Sequence, residues 1–275
     1  MTKVIVITSG KGGVGKTTSS ANLSAALANS GYKTVVIDFD IGLRNLDLLL
    51  GCERKIAFDF IDVINNEASL NQALIKDDNI DNLYILAASQ TSDKEDLTKE
   101  GVISVIDELR CKNFDYIICD SPAGIEKGAL MALYCADEAI IVTNPEVSSI
   151  RDSSRIIDIL HSKSRRSESE LDPIKEHLLI TRYDYKKVKN KDMLSIEDIK
   201  QILNLPLVGI IPESDEVLKS SNKGELLVND INSNIAKSYI DVALRLSGKN
   251  VALRIEPNDN SNKKKGFFNK LIGRR

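Results

Sequence analysis

A glycine-rich segment near the amino terminus, residues 10–17, reads GKGGVGKT and satisfies the pattern G-x-x-x-x-G-K-[ST]. It follows a Val/Ile-rich run and opens a segment of helical periodicity, a context that a chance match would lack. The glycines let successive backbone N–H groups turn toward one anion, and the helix amino terminus adds its positive dipole end. Nucleotide phosphates fit such a loop, with Lys16 reaching the β- and γ-phosphates and the Thr17 hydroxyl coordinating Mg²⁺.

Three aspartates end apolar runs farther along the chain. Asp38 and Asp40 close the run TVVIDFD, and strand alternation points two residues with this spacing to the same side. Asp120 closes the run DYIICD, as a carboxylate does when it presents an oxygen to a metal shell. Strand-end capping for the first two and helix capping for Asp120 are the alternatives. Together with the loop, the three predict one site for a magnesium nucleotide.

Covalent catalysis finds no support in the sequence, because no segment pairs Ser with His or Cys with His. His161 and His177 lie in segments without supporting acids, so we interpret both as structural. The four cysteines lack C-x-x-C spacing and a nearby histidine, which predicts buried free thiols in a reducing cytoplasm. They are Cys52, Cys111, Cys119 and Cys135. Phosphoryl transfer to water would then depend on positioning and electrostatics alone.

The elements that must position these residues are short runs rich in Val, Ile and Leu, separated by stretches of helical periodicity. Strands are predicted at 3–8, 33–38, 83–87, 115–120, 138–143, 178–182 and 207–211. Most intervals can hold a crossover helix, such as 16–29 with Gly31 as its stop. The pattern predicts an α/β fold with a doubly wound, mostly parallel sheet and helices on both faces. Ligands bind such sheets at the carboxyl ends of the strands, where the candidate residues fall.

The carboxyl-terminal residues have a different composition from the rest of the chain. Residues 263–275 carry six cations and no acid, so that of the formal charge of -3 they hold +6 and the remainder -9. Helical winding gathers four apolar side chains within about 140° of arc, which predicts an amphipathic helix that lies on an anionic membrane. The residues predicted to contact lipid are Lys264, Phe267, Phe268, Leu271 and Ile272. A disordered basic tail or a nucleic-acid arm is the alternative.

The predicted organisation is therefore a domain over 1–246, a polar linker over 247–262 and the membrane-targeting helix over 263–275. No apolar run approaches the roughly 20 residues of a membrane-spanning helix. The start of the chain also lacks the layout of a signal peptide. We expect a cytoplasmic protein that attaches peripherally to the cytoplasmic face of the cell membrane.

The loop resembles the deviant Walker A loop of the ParA/MinD family of ATPases, because a second lysine, Lys11, stands near its start. The resemblance covers nearly the whole chain and includes 38–47 (DFDIGLRNLD), 121–126 (SPAGIE) and 143–152 (TNPEVSSIRD). It implies a P-loop NTPase in which Lys11 crosses to the nucleotide of a partner subunit, so that hydrolysis depends on dimerisation. An ordinary solvated lysine is the alternative.

The resemblance also implies roles for individual residues. Lys11, Lys16 and Asp40 are the expected catalytic residues, with Asp40 orienting the attacking water. Asp38 connects Mg²⁺ and its waters to the switch region, beside Thr17 and Asp120 as the other metal residues. Asp152 lies on the switch-linked dimer and partner surface. The residues expected to contact the nucleotide are Gly10, Lys11, Gly12, Gly13, Val14, Gly15, Lys16, Thr17, Thr18 and, from the loop 181–183 beside the adenine, Arg182.

The implied function is a switch in which ATP drives homodimerisation and the paired tails attach to anionic lipid. The docked dimer would recruit a division inhibitor of the MinC kind, and an activator of the MinE kind, where present, would stimulate hydrolysis. No nucleic-acid partner is expected. The alternatives are a ParA-type DNA-segregation ATPase and a membrane scaffold with a degenerate pocket. The acidic body disfavours the first, and intact Lys16, Thr17, Asp40 and Asp120 disfavour the second.

Overall fold

The computed structural model describes residues 2–169 and 171–254 of the 275-residue chain. Within these residues eight strands form one sheet. They are β1 (Lys3–Thr8), β2 (Thr34–Asp38), β3 (Ile75–Lys76), β4 (Leu83–Leu86), β5 (Tyr116–Asp120), β6 (Glu138–Thr143), β7 (Lys175–Tyr183) and β8 (Leu207–Pro212). Their order is β3-β4-β2-β5-β1-β6-β7-β8, and all pairs are parallel except β3 with β4.

Helices connect the strands and cover both faces of the sheet. The described helices are α1 (Lys16–Asn29), α2 (Leu46–Leu49), α3 (Phe60–Ile64), α4 (Leu70–Ala73), α5 (Lys99–Cys111), α6 (Lys127–Tyr134), α7 (Val147–Lys163), α8 (Arg165–Glu168), α9 (Tyr185–Lys189), α10 (Ile196–Leu203), α11 (Asp215–Lys223) and α12 (Asn234–Leu246). Short 3-10 turns lie at Glu53–Lys55, Lys94–Asp96 and Leu227–Asn229.

Strand alternation divides the core into two layers. In β1, Val4 and Val6 face the layer that contains α5, α7 and α10, whereas Ile5 and Ile7 face the layer that contains α1 and α12. All four side chains are fully buried. Full burial of such a side chain stabilises the fold by about 1.5–3 kcal/mol. A central strand that is apolar on both sides therefore fixes the sheet between two helical layers.

All seven predicted strands are present, and α1 spans the predicted residues 16–29. Gly31 follows α1 with φ 91°, a left-handed conformation that glycine adopts at low cost. The edge strand Ile75–Lys76 was missed because two residues, one buried and one exposed, are too short to show alternation. It pairs antiparallel to β4 and ends the sheet on that side.

The two histidines lie away from the carboxyl edge of the sheet and have acidic partners that the linear sequence did not reveal. His177 Nε2 contacts Glu138 Oε2 at 2.8 Å, and His161 Nε2 contacts Glu176 Oε1 at 3.0 Å. Glu138 also binds Lys3 Nζ at 3.1 Å. In both cases a glutamate on a strand supplies the charge. The prediction of buried cysteines is correct for three of the four and wrong for Cys111, which ends α5 on its exposed side.

The last described helix, α12, finishes at Leu246, and the division of the chain into domain, linker and membrane-targeting helix stays a prediction. Of the predicted linker, residues up to Arg254 are described. The predicted membrane helix, including Lys264, Phe267, Phe268, Leu271 and Ile272, lies outside the described residues. Among the residues that are described, no helix is long and apolar enough to cross a bilayer.

Candidate functional site

The glycine-rich loop connects β1 to α1 at the carboxyl edge of the sheet. Gly13 and Gly15 have φ values of 76° and 93°, which a residue with a Cβ adopts at a cost. Gly10 is required for a different reason. A Cβ on Gly10 would lie 2.3 Å from the carbonyl carbon and oxygen of Asp152 in α7. The loop therefore rests directly on the helix that carries the predicted partner residue Asp152.

Lys16 begins α1 and turns back into the loop that precedes it. The residue is 7% exposed, and its Nζ donates a hydrogen bond to Ser9 Oγ at 2.9 Å. Burial lowers the pKa of Lys16, while the carboxylates of Asp120 and Asp40 act in the opposite direction. An ammonium group held inside the loop by a single hydroxyl is available to an incoming anion.

Asp38 and Asp120 end adjacent strands in register and lie side by side. Both are buried, with 1% and 2% exposure. Asp38 accepts hydrogen bonds from the backbone N–H of Asp40 at 2.9 Å and of Leu46 at 3.4 Å, whereas Asp120 accepts one from Ser20 Oγ at 2.7 Å. Burial raises the pKa of each carboxyl group, and the proximity of Asp120 raises that of Asp38 further. Two buried acids beside one lysine favour a bound cation.

Asp40 lies two residues beyond Asp38 and is half-buried. Burial raises its pKa, and the nearby cations Lys94 and Lys16 act in the opposite direction. Lys94 itself is paired with Glu126 at 2.8 Å. The structure thus places Asp40 between the loop lysine and the start of α6, where its carboxylate can orient a water molecule.

Lys11 points away from the loop that contains it. Its Nζ donates to Glu146 Oε2 at 2.7 Å and to Ser148 Oγ at 3.3 Å, at the start of α7. The Lys11 side chain is 39% exposed and that of Glu146 is 48% exposed. Exposed ion pairs of this kind contribute little stability. In the single chain, Lys11 is therefore held weakly by its own subunit and can be released.

A cavity of about 360 Å³ adjoins the loop beside α1. Val14, Gly15 and Thr18 line one side, and Thr181 and Arg182 line the next. Thr181 Oγ1 donates to Val14 O at 2.6 Å, which joins the end of β7 to the loop. Arg182 has φ 52° and an exposed side chain. The predicted contacts of Thr18 and Arg182 thus fall in one cavity, next to the phosphate loop.

The sequence analysis missed the opposite wall of this cavity. That wall comes from the end of β8, the turn after it, α11 and α12, namely Ile211, Pro212, Glu213, Ser214, Asp215, Val217, Leu218, Ser221 and Tyr239. The carboxyl-end rule applied to β8 indicates the first of these. Tyr239 gives no local signal, because its position opposite α1 depends on helix packing. Its hydroxyl lies 3.3 Å from Ser19 Oγ.

The residues present fit a magnesium nucleotide. The loop offers backbone N–H groups and Lys16 to phosphates, and Thr17, Asp38 and Asp120 offer hard oxygen ligands close to them. In the described part of the chain, no group of three or more His, Cys, Asp or Glu side chains can hold a metal unaided. Mg²⁺ usually retains waters and phosphate oxygens in its shell, so a partial protein ligand set is the expected arrangement.

Comparison with known proteins agrees with this geometry. Residues 5–228 match the CobQ/CobB/MinD/ParA nucleotide binding domain. The septum site-determining protein MinD of Escherichia coli strain K12 is 59% identical over 273 residues, which cover 99% of this chain and 100% of the relative. The chain belongs to the MinD/ParA family of nucleotide-binding proteins. Its fold is accordingly that of a P-loop NTPase.

Solved structures of MinD/ParA family members share the whole architecture. The MinC:MinD cell division protein complex of Aquifex aeolicus superimposes with a TM-score of 0.80 at 42% identity, covering 92% of this chain and 98% of that one. MinD of Pyrococcus horikoshii OT3, complexed with Mg-ADP, gives a TM-score of 0.76 at 30% identity. The match covers 90% of this chain and 96% of that one. Family membership and the predicted fold are therefore confirmed, and the individual residue roles stay predictions.

Proposed function

We propose that the protein is a Mg²⁺-dependent ATPase that acts as a dimerising, membrane-attaching switch in placement of the division septum. The observation that carries the proposal is the convergence of Lys16, Asp38, Asp40 and Asp120 on the glycine-rich loop. This convergence occurs in a chain with full-length similarity to septum site-determining proteins. Hydrolysis of ATP to ADP and phosphate is the reaction that such a site supports.

The position of each side chain indicates its proposed role. Lys16 and the N–H groups of residues 10–17 would bind the phosphates, while Thr17, Asp38 and Asp120 would hold magnesium directly or through water. In that position the metal would supply positive charge to neutralise the phosphate oxygens. Asp40 orients the attacking water. No nucleophilic side chain is needed, because the rate enhancement comes from positioning and electrostatics.

Homodimerisation would complete the site through Lys11. The weak attachment of Lys11 to Glu146 and Ser148 leaves its ammonium free to exchange partners. In a dimer whose carboxyl edges face each other, the partner phosphates become the stronger attraction, because they carry more charge and are less solvated. The exposed apolar side chains of Leu43, Ile125 and Val147, at 69%, 53% and 65%, follow β2, β5 and β6 and supply surface for that contact.

Membrane attachment depends on the number of tails. Partial burial of four large apolar side chains contributes roughly 4–8 kcal/mol, and basic residues about 1 kcal/mol each. Ordering roughly ten backbone residues costs about 10 kcal/mol or more. The net free energy of membrane binding by one tail is thus close to zero. Two tails joined in a dimer gain an avidity of roughly 10² to 10⁴.

The partners follow from the same relatives. A complex of MinD with MinC is known for the Aquifex aeolicus protein, and we propose that a MinC-like inhibitor binds this chain in the same way. Asp152 is the candidate contact, since its backbone lies against Gly10, so that a shift of the loop on nucleotide binding would displace it. A MinE-like activator, where present, would stimulate hydrolysis and return the protein from the cytoplasmic face of the membrane to the cytoplasm.

Vesicle sedimentation tests the cycle. We expect the full chain to sediment with anionic vesicles in ATP and to remain in the supernatant in ADP. A chain ending at Asn262 should stay in the supernatant in both. Equal sedimentation of the two chains would contradict the proposal. A ParA-type function instead predicts salt-dependent retention on DNA, and a degenerate scaffold predicts no turnover with lipid present.

A further inference from the structure

The chain reverses direction after α12 and is held against the body of the protein. Gly248 has φ 87°, which allows the turn. Arg245 then binds the returning segment, with Nε donating to Val251 O at 2.8 Å and Nη2 donating to Ala252 O at 2.5 Å. Nη1 donates to Val208 O at 2.7 Å in edge strand β8. One half-buried guanidinium therefore joins the returning segment to the sheet.

A second contact lies one turn back along the same helix. The guanidinium of Arg254 forms an ion pair with the carboxylate of Asp241, whose side chain is 9% exposed. Arg245 and Arg254 together hold the segment at three of its last four described residues. We call these two arginines and Asp241 the tether clamp.

The helix that carries the clamp is itself firmly placed. A Cβ on Gly209 of β8 would lie 2.2 Å from Val242 Cγ2, so helix and strand are in close contact. Lys3 Nζ also donates to Leu246 O at 3.2 Å, fixing the end of α12 to the amino end of β1. A segment bound to such a helix leaves the domain from a defined point.

We propose that the tether clamp sets the point of departure and the working length of the chain that joins the ATPase domain to the membrane-binding segment. Residues 249–262 would otherwise all serve as tether, whereas the clamp leaves 255–262, eight residues instead of fourteen. The inference rests on the proposed function, because it needs the carboxyl-terminal segment to bind lipid. Arg245, Asp241 and Arg254 are positioning residues in this role, and none of them lines the cavity beside the glycine-rich loop.

Tether length affects how strongly two tails cooperate. For a flexible chain the root-mean-square length is about 5–6 Å times the square root of the residue number, or about 15 Å for eight residues and about 20 Å for fourteen. Once one tail of a dimer is bound, the effective concentration of the second falls roughly as the −3/2 power of tether length. Opening the clamp should therefore weaken attachment roughly two- to threefold.

The test measures binding to vesicles of equal parts phosphatidylcholine and phosphatidylglycerol in ATP, using the full-length double variant Arg245→Gln/Arg254→Gln, because either arginine alone would still hold the segment. The double variant should bind roughly two- to threefold more weakly than wild type, with ATP-dependent dimerisation unchanged. In the double variant, deletion of residues 255–260 should restore affinity, because it returns the tether to its clamped length. A purely structural defect would not respond to that deletion.

Lys249→Gln is the matched control, since it removes one positive charge from the same segment, and among the described residues its exposed side chain forms no hydrogen bond or ion pair. It should bind as wild type does. If the double variant fails to fold, Arg254→Gln alone carries the test, because it frees residues 253 and 254 and should weaken binding roughly 1.4-fold. Wild-type affinity in the double variant, or failure of the deletion to restore binding, overturns the clamp alone. Failure of wild type itself to bind the vesicles in ATP overturns the proposed function as well.

Discussion

Asp120 is a buried carboxylate that the free protein must accommodate without a bound cation. Burial raises its pKa, so its ionised form at neutral pH costs folding free energy. Asp120→Asn removes the charge, and the amide oxygen can still accept the hydrogen bond from Ser20. We expect the nucleotide-free variant to be more stable by about 1–3 kcal/mol, measured by urea unfolding. Its ATPase activity should fall by about 10- to 100-fold, because a metal contact is lost.

Ser20→Ala is the control for this prediction. It removes the hydrogen bond to Asp120 and leaves the charge in place, so it should destabilise the free protein, by about 1 kcal/mol. A free Asp120→Asn variant less stable than wild type would show that the carboxylate is well satisfied without a cation.

Glu138 is the clearest source of acid sensitivity outside the site. Burial alone raises its pKa, but hydrogen bonds from His177 and Lys3 outweigh burial and lower it to about 2. A carboxylate with a lowered folded pKa stabilises the protein above its unfolded pKa, and this stabilisation is lost as the pH falls through the folded value. The free energy of unfolding of wild type should therefore exceed that of Glu138→Gln by about 2–3 kcal/mol above about pH 5. This difference should close as the pH falls toward about 2.

Urea titrations of both proteins across this pH range measure the gap. Activity at neutral pH should be similar in the two, because Glu138 starts β6 at the end of the sheet opposite the glycine-rich loop. A gap that stays constant with pH would contradict the charge-based explanation and indicate lost packing instead.

At the scale of elements, the contact between the loop and α7 can be tested with two glycines. In Gly10→Ala the new Cβ would lie 2.3 Å from backbone atoms of Asp152, so the loop or the helix must shift. We expect a loss of about 1–3 kcal/mol and weaker nucleotide binding, measured by thermal unfolding and calorimetry. Gly12→Ala is the matched control, since its Cβ would meet its nearest atom at 4.0 Å. Equal stability of the two variants would contradict the proposed close approach.

Elements of the fold and the phosphate side of the site were predictable from the sequence, because each rests on local pattern. Apolar runs identified the strands, and the carboxyl-end rule collected residues 10–17, Asp38 and Asp120 at one edge. In the cavity that adjoins the glycine-rich loop, the wall opposite the loop could be predicted only in part. Tyr239 reaches it only because α12 packs against α1, and a short edge strand such as Ile75–Lys76 has no periodicity to detect.

Long-range contacts of single charged side chains could also not be predicted from the sequence. Lys11 and Glu146 are 135 positions apart, and nothing local indicates that they meet. The same holds for the contact between Gly10 and Asp152, which depends on β1 and β6 being neighbours in the sheet. Long-range pairing thus decides which predicted residues share a surface.

For the whole molecule, the decisive question is whether two chains complete each other's sites. The nucleotide loop, Lys11 and the exposed Leu43, Ile125 and Val147 follow strands at the carboxyl edge, so a dimer formed there would bury them together. Lys11→Ala removes only a weakly held ammonium from the single chain. We expect it to bind ATP with nearly wild-type affinity, to remain monomeric by light scattering, and to lose at least about 10³-fold in hydrolysis, as when a charge supplied in trans is missing.

Glu146→Gln distinguishes the contact of Lys11 with its own subunit from the proposed contact of Lys11 with the partner's nucleotide. It frees Lys11 from its own subunit and keeps the charge that the partner nucleotide would attract, so dimerisation in ATP should persist or strengthen. Light scattering of wild type, Lys11→Ala and Glu146→Gln under the same ATP concentration compares the three. A dimer of unchanged mass in Lys11→Ala would show that the lysine does not act across the interface. Loss of the dimer in Glu146→Gln would instead assign the contact seen here to the assembled state, because Glu146 would then hold Lys11 in place for its partner.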